Sequence, residues 1–275
     1  MTSIDKSKIP VVILCGGLGT RLAEETETKP KPMVEVGGKP ILWHLLKTYS
    51  TYGFSNFILC LGYKGHIIKN FFLNYDYNTH DVRITTGERK KIDILDQGPM
   101  AENWSVTLAE TGPLSMTGSR VKRIEKYIDS DTFMLTYGDG VCNVNIDKLL
   151  EFHKSHGKMG TVTGVRPPSR FGELLTEGAD VMAFSEKPEA GKGKPGNVSG
   201  LINGGFFVFN KEFFRYLSEK EDCVLEKAPL EGLANDKQLQ VYRHEGFWQC
   251  MDTLRDVTLL RELWDAGKAP WKVWK

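Results

Sequence analysis

The alternation of apolar and polar positions divides this chain into short strands and amphipathic helices. Residues 9–15 form a continuous apolar run, the pattern of a strand buried on both faces. Residues 41–52 follow helical spacing, with Leu42, Leu45, Leu46 and Tyr49 on one face. Residues 57–61 give the next apolar strand and 65–72 the next helix. Shorter strands are expected over 82–86 and 92–95, around the polar turn 87–91. An irregular segment holding Pro99, Trp104, Thr111, Gly112 and Pro113 follows. Residues 118–129 read as a helix, with Val121, Ile124 and Ile128 spaced to face a core, and 132–137 as an apolar strand ending abruptly in Gly138-Asp139-Gly140. A helix over 147–156 and a strand over 160–165 complete this part. Strands alternating with helices predict an α/β fold, a Rossmann-like, mostly parallel sheet flanked by helices.

The second half is less regular. Leu174 with Leu175, residues 181–184 and residues 204–209 read as strands, and the Gly-, Pro- and Lys-rich stretch 188–200 as a mobile surface loop. Residues 254–264 close the pattern as an amphipathic helix with an aromatic tail, Trp271 and Trp274. At 275 residues the chain suits a single large domain. The regular pattern lies mainly over 9–145 and the less regular one over 146–275.

The first strand carries the strongest chemical signal. It runs into Leu14-Cys15-Gly16-Gly17-Leu18-Gly19-Thr20-Arg21, and Lys29-Pro30-Lys31-Pro32 follows closely. Glycines let a backbone approach a phosphate, because no Cβ intervenes and positive φ costs little. Loop N–H groups can then face the anion while Arg21, Lys29 and Lys31 neutralise it, as a polyphosphate site requires. Two common phosphate loops are excluded. No Gly-x4-Gly-Lys-Ser/Thr string follows a strand, and Leu22 stands where a dinucleotide fingerprint needs its third glycine.

Composition narrows the partners. The chain is 40% hydrophobic and 26% charged, with a net charge of +1, which gives no reason to expect nucleic acid. No apolar stretch approaches the roughly 20 residues that span a bilayer, and the first ten residues read as a polar extension without a signal-peptide core. Five scattered cysteines without a C-x-x-C pair argue against a disulfide framework or zinc site and favour a reducing cytoplasm.

Two aspartates complete the candidate chemistry. Ligands of open α/β sheets bind at the carboxyl ends of the strands, and Asp139 sits at such an end between two glycines. Asp252 precedes the last helix. From spacing alone Asp139 also fits an ordinary turn aspartate, and Asp252 a helix cap. Separated carboxylates suit a reaction between two phosphates, which repel each other: Mg²⁺ takes oxygen ligands and neutralises charge on both partners. Catalysis then rests on positioning and electrostatics, with no need for a nucleophile–base pair.

The G-G-x-G-T-R-L and K-P-K-P-M-V strings, the strand-end Asp139 and the segment Phe184-Ser185-Glu186-Lys187-Pro188 resemble the signature of the sugar-phosphate nucleotidyltransferases, and matches continue almost to the C-terminus. The resemblance implies the nucleotide-diphospho-sugar transferase fold in a single domain, with a mainly nucleotide-binding half over 9–145, a mainly sugar-binding half and C-terminal tail over 146–275, and a small region for sugar binding and oligomerisation. It implies that residues 14–20 and Arg21 hold a nucleoside triphosphate, that Lys31 is a catalytic cation, and that Asp139 and Asp252 bind Mg²⁺. It places Gly172, Glu186, Lys187, Asn203 and Gly204 at the sugar phosphate, and Thr111, Ser115, Gly118, Arg120 and Gly138 around the nucleotide. Without it, Glu186 and Lys187 would read as an exposed charged turn, and Arg120 also fits a solvent-facing basic run with Lys122 and Arg123.

Further strings resemble the branch of the family that uses CTP with glucose 1-phosphate: Lys39-Pro-Ile-Leu-Trp-His44, Leu61-Gly-Tyr-Lys-Gly65, Met116-Thr-Gly118, Phe247-Trp-Gln249 and Gly267-Lys-Ala-Pro-Trp271. An arginine near cytosine makes chemical sense, since guanidinium is a rigid multiple donor facing the acceptors O2 and N3. The expected partners are therefore CTP and a sugar 1-phosphate, with no nucleic acid and no membrane, in a homo-oligomer for which a hexamer is one form. Another phosphorylated acceptor remains compatible with the same chemistry. A non-catalytic nucleotide-sugar sensor on this fold would be expected to lack a metal carboxylate or the catalytic cation, whereas this chain keeps Arg21, Lys31, Asp139, Lys187 and Asp252. The match is poor over 89–103, and the loop 191–198 is longer than usual for the family.

Overall fold

A computed structural model describes residues 5–87, 90–95, 102–167, 173–177, 180–185 and 200–275. Its centre is a seven-stranded sheet. In chain order the strands are β1 (Val11–Leu14), β2 (Asn56–Leu61), β3 (Ser105–Glu110), β4 (Thr132–Tyr137), β5 (Gly160–Val165), β6 (Ile202–Asn210) and β7 (Leu239–His244). Their order across the sheet is β7-β5-β6-β4-β1-β2-β3, and only β6 runs antiparallel to its neighbours.

The continuous apolar run of β1 follows from its position. Val11 and Ile13 enter a core on one face of the sheet, with Leu42, Leu45, Leu46 and Tyr49 of helix α1 (Ile41–Thr51). Val12 and Leu14 enter a second core on the other face, with Val121 of helix α3 (Thr117–Arg123) and Phe207 and Phe209 of β6. Helix α2 (Gly65–Leu73) and helix α4 (Ile146–His156) contribute Ile68, Leu149 and Leu150 to the first core. Successive side chains of a strand point to opposite faces, so a strand covered by helices on both sides has no polar position left.

A third core holds the last helix, α5 (Leu254–Asp265), against the front of the molecule. Val257 and Leu260 pack there with Val34, Val36, Ile41, Met251 and the fully buried Trp271. The aromatic tail thus packs on its own chain, with the Trp271 ring stacked 5.6 Å from Phe247. Among the described residues no helix is long and apolar enough to cross a membrane.

The structure corrects the sequence reading at four points. The segment expected to be irregular contains β3, an edge strand whose half-buried Ser-Val-Thr-Leu-Ala-Glu pattern lacks the apolar density of its neighbours. The helix expected over 118–129 ends at Arg123 and continues as a short 3-10 turn, Glu125–Tyr127, although Val121, Ile124 and Ile128 are all buried as expected. The strand expected over 204–209 begins at Ile202 and pairs within the central sheet. Strand β7, with alternating exposure at a sheet edge, carried too little periodic signal to be noticed. The two short strands at Glu173–Glu177 and Asp180–Ser185 do pair, antiparallel, as do Val82–Thr85 and Lys91–Ile94. The loop 188–199 lies outside the described residues.

Candidate active site

In the sheet, β1 has β2 on one side and β4 on the other, so the chain departs in opposite directions from this point. Such a switch opens a crevice at the carboxyl ends of the strands. Leu14, the last residue of β1, is in register with Tyr137 of β4 and with Cys60 of β2. The glycine loop and the Gly138-Asp139-Gly140 corner therefore emerge side by side. Gly138 is required here. A Cβ would meet the Leu14 carbonyl at 2.8 Å and the Pro32 ring at 2.9 Å, and its own N–H donates to that carbonyl at 3.0 Å.

A cavity of about 480 Å³ opens over this crevice. The loop from Leu14 to Thr20 forms one wall, Ser115, Met116, Thr117 and Arg120 form another, and Lys31, Asp139 and Asp252 close the end. Gly17 and Leu18 are exposed, and a Cβ on Gly17 would meet nothing within 4 Å. Gly19 has φ +66°, the left-handed conformation that favours glycine, and its carbonyl accepts from the Thr26 hydroxyl at 3.0 Å. A second cavity of about 260 Å³ adjoins the first, lined by Asn203, Gly204, Phe206 and Trp248. Tyr137, Asp139 and Asp252 line both.

Tertiary structure brings the charged groups of this junction together. Residues Gly140–Cys142 pair antiparallel with Trp248–Cys250, and the Met251 N–H donates to the Asp139 carbonyl at 2.8 Å. This delivers Asp252 to Asp139. Lys31 begins a short 3-10 turn, Lys31–Met33, and reaches both carboxylates: Nζ lies 2.6 Å from Asp139 Oδ2 and 2.6 Å from Asp252 Oδ1. Burial alone would lower the lysine pKa, but the Asp139 and Asp252 carboxylates more than offset it and raise it to about 12. Asp252 is not the cap of α5. That role falls to Thr253, whose hydroxyl accepts from the Asp256 N–H while the Asp256 carboxylate caps the Thr253 N–H.

Asp139, Cys250 and Asp252 present candidate ligand atoms within 4.8 Å of one another. The carboxylates fit a hard divalent cation, since both already converge on one positive charge. Burial, and then the charge of Asp139, push the Cys250 thiol up, so it remains a neutral neighbour.

Arg120 is only 4% exposed and faces the protein. Its Nη1 donates to the Leu61 carbonyl at 2.9 Å, the Thr111 hydroxyl at 2.9 Å and the Gly112 carbonyl at 2.7 Å. Its Nη2 donates to the carbonyls of Gly16 at 2.9 Å and Pro113 at 3.4 Å. A Cβ on Gly16 or Gly62 would come within 2.4 Å of this guanidinium, so both glycines make room for it. Arg120 thus braces the glycine loop against the 111–113 turn. Thr111 is buried with its hydroxyl donating to Leu61, and Ser115 accepts from Arg123 at 2.7 Å. Gly118 lets α3 pack directly on Cys223.

Of the residues expected at the site, 14–20, Lys31, Ser115, Arg120, Asp139 and Asp252 line the first cavity, and Asn203 and Gly204 the second. Thr111, Gly118 and Gly138 stand behind these linings. The Arg21 side chain and residues Gly172, Glu186 and Lys187 lie outside the described residues. The sequence reading gave no role to Tyr137, the last residue of the expected 132–137 strand, or to Trp248, although Trp248 sits inside a string it singled out. Trp248 donates its indole N–H to the Gly204 carbonyl at 2.7 Å and so holds the wall of the second cavity.

Comparisons with known proteins bear on the family and the fold. Residues 10–268 match the family model described as nucleotidyl transferase. A glucose-1-phosphate cytidylyltransferase of Salmonella typhi is 48% identical over 265 residues, which cover 96% of this chain and 99% of the relative. A probable glucose-1-phosphate cytidylyltransferase of Bacillus subtilis (strain 168) is 43% identical over the same shares. Among solved structures, HddC from Yersinia pseudotuberculosis complexed with GMP-PN superposes with a TM-score of 0.62 at 25% identity, covering 93% of this chain and 99% of its own. A putative glucose-1-phosphate thymidylyltransferase from Bacillus anthracis gives a TM-score of 0.65 at 16% identity, covering 97% of this chain and 98% of its own, a likeness of fold.

Proposed function

The chain belongs to the nucleotidyl transferase family, and from that membership we propose that it transfers the cytidylyl group of CTP to α-D-glucose 1-phosphate, giving CDP-glucose and pyrophosphate. An oxygen of the sugar phosphate attacks the α-phosphorus in line. One P–O bond forms as the bond to the bridging oxygen of the β-phosphate breaks, and pyrophosphate leaves with that electron pair. The carrying observation is identity of 48% along nearly the whole of a glucose-1-phosphate cytidylyltransferase. The two contiguous cavities fit it, because a larger one for CTP and a smaller one for the sugar phosphate meet at Tyr137, Asp139 and Asp252, with Lys31 bonded to both carboxylates.

Each group then has a chemical task. The backbone of residues 14–20 cradles the triphosphate, with Arg21 added from the same loop. Lys31 carries a permanent charge at the junction and stabilises charge building on the α-phosphate and departing pyrophosphate. Asp139 and Asp252 would hold Mg²⁺, which when bound supplies charge neutralisation between the two phosphates. Ser115 and Arg120, with Thr111, Gly118 and Gly138 behind them, shape the nucleotide pocket. Asn203 and Gly204 bind the sugar phosphate together with Gly172, Glu186 and Lys187. The protein works as a cytoplasmic homo-oligomer in this reading.

Pyrophosphate release with Mg²⁺, for each nucleoside triphosphate against a panel of sugar 1-phosphates, tests the proposal. Turnover confined to CTP with glucose 1-phosphate and lost in Asp139→Ala supports it. Turnover with another pair keeps the chemistry and replaces the substrates. Nucleotide binding without turnover for any pair turns the reading toward a sensor.

A further inference from the structure

Tyr137 stands between the two cavities, and its hydroxyl belongs to a chain of hydrogen bonds that the reaction chemistry does not use. The ring packs edge-on against Phe207, with centroids 6.0 Å apart, and lies over Gly205, where a Cβ would come within 2.6 Å of it. Gly205 has φ +78° and its N–H donates to Asn203 Oδ1 at 2.8 Å, so the backbone of the smaller cavity is shaped around this ring. The Tyr137 hydroxyl accepts from Asn203 Nδ2 at 3.3 Å and donates to Glu226 Oε1. The other Glu226 oxygen accepts from the Thr117 hydroxyl at 2.7 Å, and that hydroxyl in turn accepts from the Leu225 N–H at 2.9 Å. Thr117 lines the larger cavity and Asn203 the smaller. One carboxylate therefore ties a wall of each to the ring they share.

We propose that Glu226 is a positioning residue that couples the two subsites, so that occupancy of the nucleotide cavity, through Thr117, Glu226 and Tyr137, organises Asn203 for the sugar phosphate. The inference rests on the substrate reading above. A carboxylate suits this place because it accepts from two hydroxyls at once without supplying a competing donor. Glu226 itself is exposed and lines neither cavity, so its loss removes a constraint without emptying a core. Linkage requires the effect to be reciprocal: each ligand tightens the other by the same factor.

The test is calorimetric binding of glucose 1-phosphate to the full chain with Mg²⁺, with and without a saturating non-reactive CTP analogue. In wild type the analogue tightens glucose 1-phosphate binding by about fivefold or more. Glu226→Ala and Tyr137→Phe each reduce this factor to near one, keep the thermal midpoint of wild type, and raise KM for both substrates more than they lower kcat. The double variant is no worse than either single, because both cut one chain. Undiminished coupling in Glu226→Ala overturns the proposal, as does wild type that binds both ligands without coupling. Wild type that binds neither overturns the substrate assignment, and the proposal with it.

Discussion

Lys31 and Asp252 stand 221 positions apart in the chain and meet at 2.6 Å, Nζ to Oδ1. The same ammonium lies 2.6 Å from Asp139 Oδ2. Two carboxylates brought this close repel each other, and the lysine offsets that repulsion. It is held by its turn between Pro30 and Pro32, not by a long flexible reach.

Lys31→Met nearly conserves side-chain length and removes the charge. Turnover is expected to fall by about 100-fold to 1000-fold, the cost of deleting one group aimed at developing charge. Lys31→Arg restores little of it, because a planar fork does not replace a compact ammonium between two carboxylates. Steady-state pyrophosphate release is the measurement, with the thermal midpoint as a control for folding. Turnover near wild type in Lys31→Met would remove Lys31 from the mechanism.

Chelation of divalent metal is expected to abolish turnover, and Mg²⁺ to restore it. Asp252→Asn keeps the shape but weakens the cation site, raising the Mg²⁺ concentration for half-maximal rate by more than about 10-fold, the lower end of what losing a mere supporting partner costs. A metal titration of the variant decides this. An unchanged half-maximal concentration would leave Asp139 as the metal ligand without Asp252.

His44 gives the protein an acid-sensitive element that lines neither cavity. Its Nε2–H donates to the Val36 carbonyl at 2.9 Å, and its Nδ1 accepts from the Trp271 indole at 3.4 Å, among the rings of Trp43, Trp264 and Trp274. Burial depresses its pKa from 6.5 to about 4. The unfolded chain therefore binds this proton first. The stabilisation is complete above pH 6.5 and is lost as pH falls toward about 4, by up to about 3 kcal/mol. Denaturant unfolding between pH 7 and 4.5 should show a shallower pH dependence for His44→Gln than for wild type. Parallel curves would refute the assignment.

The glycine loop separates packing from ligand contact. Gly17 faces open space, so Gly17→Ala should leave the thermal midpoint unchanged while raising KM for CTP, because the added methyl meets only the nucleotide. Gly16→Ala should lower the thermal midpoint and raise KM for CTP together, since its Cβ would lie 2.3 Å from the Arg120 guanidinium. Equal effects of the two substitutions on stability would contradict this division.

The strands and helices easiest to read were those whose faces are decided locally. The β1 run, α1 with Leu42, Leu45 and Leu46 on one side, and the capped α5 all carry periodicities set by burial on known faces. Strands β3 and β7 were missed because each is a sheet edge, and an edge strand half covered by its neighbours needs only sparse apolar residues. Arg120 was expected near the nucleotide through the family resemblance, while with its basic neighbours it also fitted a solvent-facing run. Its use as a brace was not, because carbonyls of Leu61, Gly112 and Gly16 leave no mark in side-chain identity.

The sequence by itself determined the α/β class, the glycine loop, the cation Lys31 and the two aspartates, because glycine conformational freedom and fixed charge are properties of residues in order. Only the tertiary structure decided that Lys31, Asp139 and Asp252 form one group, that Asp252 leaves the helix cap to Thr253, and that Tyr137 and Glu226 join two cavities. Those are distances between segments far apart in the chain. They are set by the register of β4 beside β1 and by the pairing of Gly140–Cys142 with Trp248–Cys250, and strand pairing is a choice among partners that local pattern leaves open.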